Sequence, residues 1–293
     1  MNIGVFFQPV TVDEFIDDVR AASERGIRSV WLSQIFGIDA IAACAIAGRE
    51  VPDVRLGTGV VPTYMRHPMV MASQARTTQQ VTHGRFTLGI GLSHQIVIES
   101  MLGMDFSKPV LHLREYLDIL VPLLNGEPAD AAGSTLTFHG TVDVPSEPVP
   151  LVVAALGPQL LALAGRRTHG TVTWMTGPET IRTHVAPVIG AAAAEAGRPA
   201  PRIVMALPTV VTDDEAAARS LVGSQLEMYG YLPSYRAMLD REGAAGPADV
   251  AIVGTEDQVR AGIEKSFEAG VTEYVAAVSP SDHRTLDFLA TLV

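Results

Sequence analysis

Two apolar runs that end in glycines carry the first chemical signal: Leu56-Gly-Thr-Gly-Val-Val-Pro-Thr63 and Leu88-Gly-Ile-Gly-Leu-Ser-His94. Each is a strand-like stretch that stops at small residues and then presents polar groups. Parallel strands need this where they end and their backbone must approach a flat ligand. Further strand ends supply Phe7, Gln8 and Pro9; Ser33, Gln34 and Ile35; Ala155, Leu156, Gly157 and Pro158; and Trp174, Met175 and Thr176. With Thr58, Gly59, Val60, Thr63, Gly91, Ser93 and His94 they make an inventory of amides, hydroxyls and one imidazole, without a carboxylate. That inventory suits hydrogen bonding to a neutral heterocycle. It does not suit glycoside hydrolysis, which uses paired carboxylates, or metal binding.

The individual signals each have a plainer reading. His94 lies just past a strand end, and its ordinary pKa near neutrality fits it for proton handling; the alternative is a histidine that ties down a loop. The other seven histidines, with no HExxH pattern and no Cys/His cluster, read as surface or capping residues and leave a metal site unsupported. Ala155-Leu-Gly-Pro158 passes from strand to helix, where free N–H groups either hold a phosphate or simply start the helix. Gly89-Ile-Gly91 starts like a dinucleotide fingerprint, but His94 stands where the third glycine belongs. Gly91-Leu-Ser93 starts like a nucleophile elbow, but Gln95 replaces its last glycine. Trp174 either stacks on a ring or plugs the site. Cys44, the single cysteine, lies in the apolar stretch 41–46 and reads as a core residue.

The elements that must position these groups alternate from end to end. Strands are predicted at 3–7, 29–32, 55–60, 86–90, 151–155, 171–174, 203–211 and 272–278. Amphipathic helices follow, among them 13–25, 68–82, 158–167 and 255–269, each with apolar residues at helical spacing. The less regular middle of the chain, from Ile96 to Val144, reads as an insertion after strand four. It contains helices at 96–103 and 112–124 and a small hairpin between Gly133 and Val144, and it partly covers the mouth. Eight strand–helix units without a composition break predict an α/β fold, a (β/α)8 TIM barrel formed by residues 1–293 as one domain.

Composition narrows the partners. A net charge of −11 and a pI near 5.1 argue against nucleic acid. One cysteine excludes an internal disulfide, and the start of the chain lacks a signal-peptide pattern. No apolar run reaches the ~20 residues of a membrane span, so a cytoplasmic protein is expected.

Taken together, Leu56–Thr63, Arg66-His-Pro68, Gly84-Arg-Phe-Thr-Leu-Gly-Ile-Gly91, Ala155–Pro158, Thr171–Gly177 and Leu232–Leu239 resemble the luciferase-like superfamily. More narrowly, they are similar to its deazaflavin (coenzyme F420)-dependent oxidoreductases. The resemblance implies a dimeric barrel that binds coenzyme F420 at the C-terminal face and transfers a hydride between the deazaflavin C5 and a small organic substrate. It implies a cis peptide at Gly59-Val60, phosphate on Leu156, Gly157 and the following helix, and ring contacts from Gln34. It places His94 where some relatives carry a proton donor, so His94 and Gln34 are the expected catalytic residues. Phe7, Ser33, Thr58, Thr63, Gly91, Ser93, Ala155, Pro158 and Trp174 complete the expected cofactor site. Gln34 and Ile35 replace the Asp-His of the sugar-phosphate dehydrogenase branch, which argues against a sugar-phosphate substrate. The rivals are an FMN-dependent monooxygenase with a partner reductase, a non-catalytic flavin-binding barrel plugged by Trp174, Tyr64 and Met65, and an unrelated barrel lyase. A basic groove for the acidic tail of the deazaflavin is expected near Arg66, His67 and Arg76.

Overall fold

The computed structural model describes residues 1–293. Eight parallel strands close on themselves: β1 Ile3–Phe7, β2 Ser29–Leu32, β3 Arg55–Thr58, β4 Phe86–Gly91, β5 Leu151–Ala154, β6 Gly170–Trp174, β7 Arg202–Val211 and β8 Glu273–Ala277. Each pairs with the next, β6 pairs with β7, and β8 returns to β1 through the register Ile3–Tyr274 to Phe6–Ala277. This is the (β/α)8 barrel expected from the alternation.

Successive strand residues point to opposite faces, which divides the apolar residues between two cores. Phe6, Trp31, Val152, Val172, Val204 and Val275 fill the barrel interior. Val5, Phe7, Val30 and Leu32 point outward and meet the apolar stripes of the helices, such as Phe15 and Val19 on Val12–Glu24. Side-chain caps fix where the helices begin. Thr11 and Glu14 form a capping box, Asp39 accepts from the N–H groups of Ile41 and Ala42, and the Thr255–Gln258 pair repeats the box. Cys44 is fully buried and its thiol pKa is pushed up, as for a core residue.

At the N-terminal end the interior is closed by a polar cluster. The buried Glu273 carboxylate accepts from Ser29 Oγ at 2.6 Å, Trp31 Nε1 at 3.1 Å and Arg202 Nη2 at 2.9 Å.

Three elements differ from the sequence reading. Strand three stops at Thr58, bulges through Gly59 and Val60, and resumes as the pair Val61–Pro62 beside the end of β4. A short strand, Ile252–Gly254, pairs with the end of β7; three residues are too few to show a period. The hairpin has strands Ala129–Ala132 and Thr137–Gly140 with its turn at 133–136, so its first strand lies before the expected start at Gly133. A distant side chain sets that register: Glu115 accepts from the N–H groups of Ser134, Thr135 and Leu136 and from both hydroxyls. Within the insertion, residues 92–108 follow the end of β4, and the hairpin packs on the outer helix Pro109–Leu124, with Phe138 beside His67. No helix is long and apolar enough to cross a membrane.

The bulge depends on two missing side chains. A Cβ on Gly89 would overlap the Thr58 carbonyl oxygen, and one on Gly91 would lie 2.7 Å from Val60 Cγ2. Because Thr58 O belongs to the backbone, it cannot rotate away. Gly89→Ala is therefore expected to destabilise the fold by about 2 kcal/mol or more, read from urea unfolding. Gly157→Ala, whose added Cβ meets nothing within 4 Å, should stay within about 0.5 kcal/mol of wild type.

Candidate active site

The C-terminal strand ends meet around the bulge. Thr58 Oγ1 donates to Gly89 O at 2.9 Å and accepts from Gly89 N–H at 2.8 Å, locking β3 to β4. Beyond it, Gly59 N–H donates to Leu32 O, Gln34 N–H to Val60 O, and Thr63 N–H to Gly91 O. The Gly59–Val60 peptide is cis, as the resemblance implies. These bonds hold the ends of β2, β3 and β4 together and turn the Gly59–Val60 backbone toward the mouth, against Phe6.

A row of rings runs on from Phe6 across the mouth. Phe6 stacks on Trp174 with centroids 6.1 Å apart, and Trp174 meets Tyr229 edge-on at 6.1 Å. Tyr229 meets Tyr235 at 5.2 Å, and Tyr235 lies 5.6 Å from His94. Burial lowers the His94 pKa below its ordinary 6.5, so the imidazole is neutral at pH 7 and can accept a proton. Burial also raises the pKa of Tyr229 and Tyr235, which keeps both hydroxyls protonated. Ser93, just before His94, is left-handed at φ 63°, as is Met175 after β6 at φ 51°. Such backbone is uncommon outside glycine and collects at functional strand ends.

The residues named from sequence divide into two groups. Ser33, Gln34, Gly59, Val60, Ser93, His94, Leu156, Gly157 and Trp174 lie partly open at the mouth, and Pro158 is exposed. Phe7 does not reach it: the side chain faces the helices, and Phe6, one residue earlier, faces the barrel. Thr58, Thr63, Gly91 and Ala155 are buried supports rather than contacts. The Thr63 hydroxyl is joined to His112 Nε2 at 3.0 Å, and Ala155 belongs to the outer core. Gln34 also needs correction as a catalytic group. A carboxamide does not exchange protons, and its Oε1 already accepts from Ala40 N–H at 3.2 Å and Arg66 Nη2 at 3.3 Å. Only its amide N–H groups remain for a ligand.

The expected basic groove at Arg66, His67 and Arg76 is absent. Arg66 pairs with Asp39, His67 caps helix Pro68–Val81, and the buried Arg76 donates to the carbonyls of Leu123 and Val142. The plug of Trp174, Tyr64 and Met65 does not assemble either, because Tyr64 stacks on His112 at 3.9 Å and packs against Phe106.

The strand-five end leads into an open helix start. Helix Pro158–Arg167 starts at Gly157 with no side-chain cap and no acid in its first turn. The N–H groups of Gly157, Gln159 and Leu160 therefore point outward without an intrahelical acceptor. Sequence reading missed the residue that holds this turn. The buried His184 donates from Nε2 to Leu156 O at 2.7 Å. It does so from a π-helical turn, Ile181–Val185, which no local pattern announces.

Residues 1–273 match the sequence model of the luciferase-like monooxygenase family. The chain is 24% identical over 324 residues to 5,10-methylenetetrahydromethanopterin reductase of Methanolobus tindarius, covering 99% of this chain and 98% of that one. It is 28% identical over 282 residues to a Mycobacterium tuberculosis protein named as a coenzyme F420-dependent oxidoreductase, covering 90% and 80% of the two chains. The solved coenzyme F420-dependent tetrahydromethanopterin reductase of Methanopyrus kandleri has the same fold. Its TM-score is 0.84 at 20% identity, covering 100% of this chain and 98% of that one.

If His184 positions the anion turn, His184→Ala should speed amide hydrogen exchange at Gln159 and Leu160. It should also weaken protection of the protein by inorganic phosphate in thermal melts, and His184→Gln should restore part of both. Unchanged exchange at those amides would make His184 a packing residue only.

Proposed function

We propose that this chain, which belongs to the luciferase-like monooxygenase family of oxidoreductases, moves a hydride between the deazaflavin coenzyme F420 and a small organic substrate. One observation carries the reading. A single barrel mouth joins an uncapped helix start, a bulged strand backbone and a neutral imidazole. The residues present fit the cofactor at both ends. Gly157 leaves open space where a phosphate would lie against the free N–H groups, and Gly59 leaves the bulge flat beside Phe6.

When bound, the deazaflavin supplies C5 as the carbon that gives or takes the hydride. The chain supplies the rest. The N–H groups of Gly157, Gln159 and Leu160 would hold the phosphate, and the Gly59–Val60 backbone would support the ring. Ser33 and the Gln34 amide would bond the ring edge. Trp174, Tyr229 and Tyr235 exclude water from the reacting face. His94 takes the substrate hydroxyl proton at a free ring nitrogen when substrate is oxidised, and returns it in reduction. The working unit is proposed as a cytoplasmic homodimer.

FMN would place its phosphate on the same helix start, and an FMN-dependent monooxygenase served by a partner reductase is the second reading. Titrating the apoprotein with coenzyme F420 and with FMN, followed by ligand fluorescence, separates the two. Micromolar or tighter binding of F420 with weaker FMN binding is expected. The opposite preference moves the reading to the monooxygenase, and binding of neither overturns both.

The proton role has its own test. The base must be neutral, so kcat/KM for substrate oxidation should fall as pH drops through the lowered His94 pKa, below 6.5, and stay flat above it. His94→Ala should remove that limb and cost about 10²-fold or more in rate. A limb that persists in His94→Ala would leave His94 as a ring contact.

A further inference from the structure

The six most exposed large apolar and aromatic side chains are Val10, Phe36, Ile96, Met101, Met228 and Tyr231, between 61% and 79% exposed. All six lie on segments that leave the C-terminal end of a barrel strand. Val10 follows β1, Phe36 follows β2, Ile96 and Met101 follow β4, and Met228 and Tyr231 follow β7. Single apolar residues are ordinary on any surface. A grouping at one end of a barrel marks that end as a place where apolar matter binds.

The inner wall has the same character. Trp174, Tyr229 and Tyr235 lead from Phe6 inside the barrel to His94, in steps of 5.2 to 6.1 Å. One turn, Glu227–Gly230, serves both wall and rim, since it carries Tyr229 and Met228. No fixed charge acts on this row. Burial alone shifts His94, and besides burial Tyr229 feels Trp174 and Tyr235 feels Tyr229. The rim also carries carboxylates, with Glu227 accepting from the Tyr231 hydroxyl at 3.2 Å and Glu99 from the Gln95 amide at 2.9 Å. These would repel an anionic ligand.

We propose that the substrate is an uncharged alcohol, or the ketone it forms, whose extended apolar body rests on the ring row and the exposed rim. The inference rests on the hydride-transfer reading above and names its substrate class. In the oxidation the carbinol C–H bond breaks, and its electron pair travels with the hydrogen to C5 of the deazaflavin. The hydroxyl proton goes to His94 and the C=O bond forms, so the alcohol loses two electrons and the deazaflavin gains them.

The test titrates methyl ketones of rising length, from butanone to nonan-2-one, into the apoprotein and into the F420-loaded protein, read by calorimetry. Levulinate is the charged counterpart. Each added methylene should tighten Kd by about threefold, a little less than full burial of a CH2 would give. Levulinate should bind about tenfold or more weakly than pentan-2-one. The double variant Phe36→Ser/Tyr231→Ser, altered only at exposed side chains, should flatten the rise at the long end of the series. A flat series, levulinate binding as tightly as pentan-2-one, or an undiminished rise in the double variant would overturn the inference. A flat series together with a smaller sedimenting mass for the double variant would assign the rim to a second copy of the chain instead. F420 binding without the rise would fail this inference alone. The rise on the apoprotein without F420 binding would uphold the apolar site and fail the cofactor reading alone.

Discussion

The approach of Thr58 to a glycine backbone is the constraint on which the mouth of this barrel depends. With no side chain at position 89, the Thr58 hydroxyl can bond both the N–H and the carbonyl of Gly89, and strand three can leave the barrel cylinder immediately afterwards. Everything on that side of the mouth follows from this departure. The displaced Val60 carbonyl receives Gln34 N–H, and the Gly91 carbonyl receives Thr63 N–H. Gln34 then turns its own carbonyl toward Arg66 and the start of helix Ala40–Glu50, where Asp39 closes the set. A ligand-facing backbone is thereby built from bonds made by residues that themselves never meet the ligand. This is why the Gly-Ile-Gly run imitates a nucleotide fingerprint: both need glycine for close approach, but here the approaching group is another strand.

Polarity is graded along the barrel axis. At the N-terminal end Glu273, Ser29, Trp31 and Arg202 form a closed hydrogen-bonded cluster. Burying that carboxylate is tolerable because three donors meet it, and removing any one would leave charge without a partner. The middle layer is aliphatic, with Val152, Val172, Val204 and Val275. The mouth has rings, amides and one imidazole. The ionic cluster and the mouth thus sit at opposite ends, separated by a dry layer, in keeping with the division between a stabilising face and a reacting face in this fold.

Most of the architecture is legible in the sequence because barrel strands are apolar on both faces and end at glycine or polar residues. Ile3–Phe7, Ser29–Leu32 and helix Pro158–Arg167 occur with the bounds read from the residues alone. The same two-sided burial hides orientation. In Val5-Phe6-Phe7 every residue is apolar and buried, so no period of two marks Phe6 as the one facing the barrel. The anion turn shows in Gly157-Pro158, but its brace does not. His184 comes from a π-helical turn 28 residues away, and nothing in Ile181–Val185 distinguishes it from a surface histidine. Arg76 misleads for the same reason. A cation on an amphipathic helix reads as exposed, and only the packed chain shows two backbone carbonyls waiting for it.

The electrostatics of the mouth follow from burial more than from charged neighbours. Desolvation drives His94, Tyr229 and Tyr235 in different directions on the pH scale, yet each moves toward its uncharged form. The one full ion pair nearby, Arg66 with Asp39, cancels itself and is turned toward the helix start. The ring wall therefore encloses a region of oriented dipoles without a fixed net charge. Such a region is poorly suited to a reaction that builds a strong local anion. It is well suited to one in which a hydride and a proton travel separately, since the only charge to be managed is a proton on one imidazole. Burial pushes that imidazole toward its neutral form, as the proposed proton role requires. In the proposed reading, negative charge is received elsewhere, on the helix start at Gly157. Binding energy and chemistry are thus assigned to different strand ends, and the bulge at Gly59–Val60 lies between them.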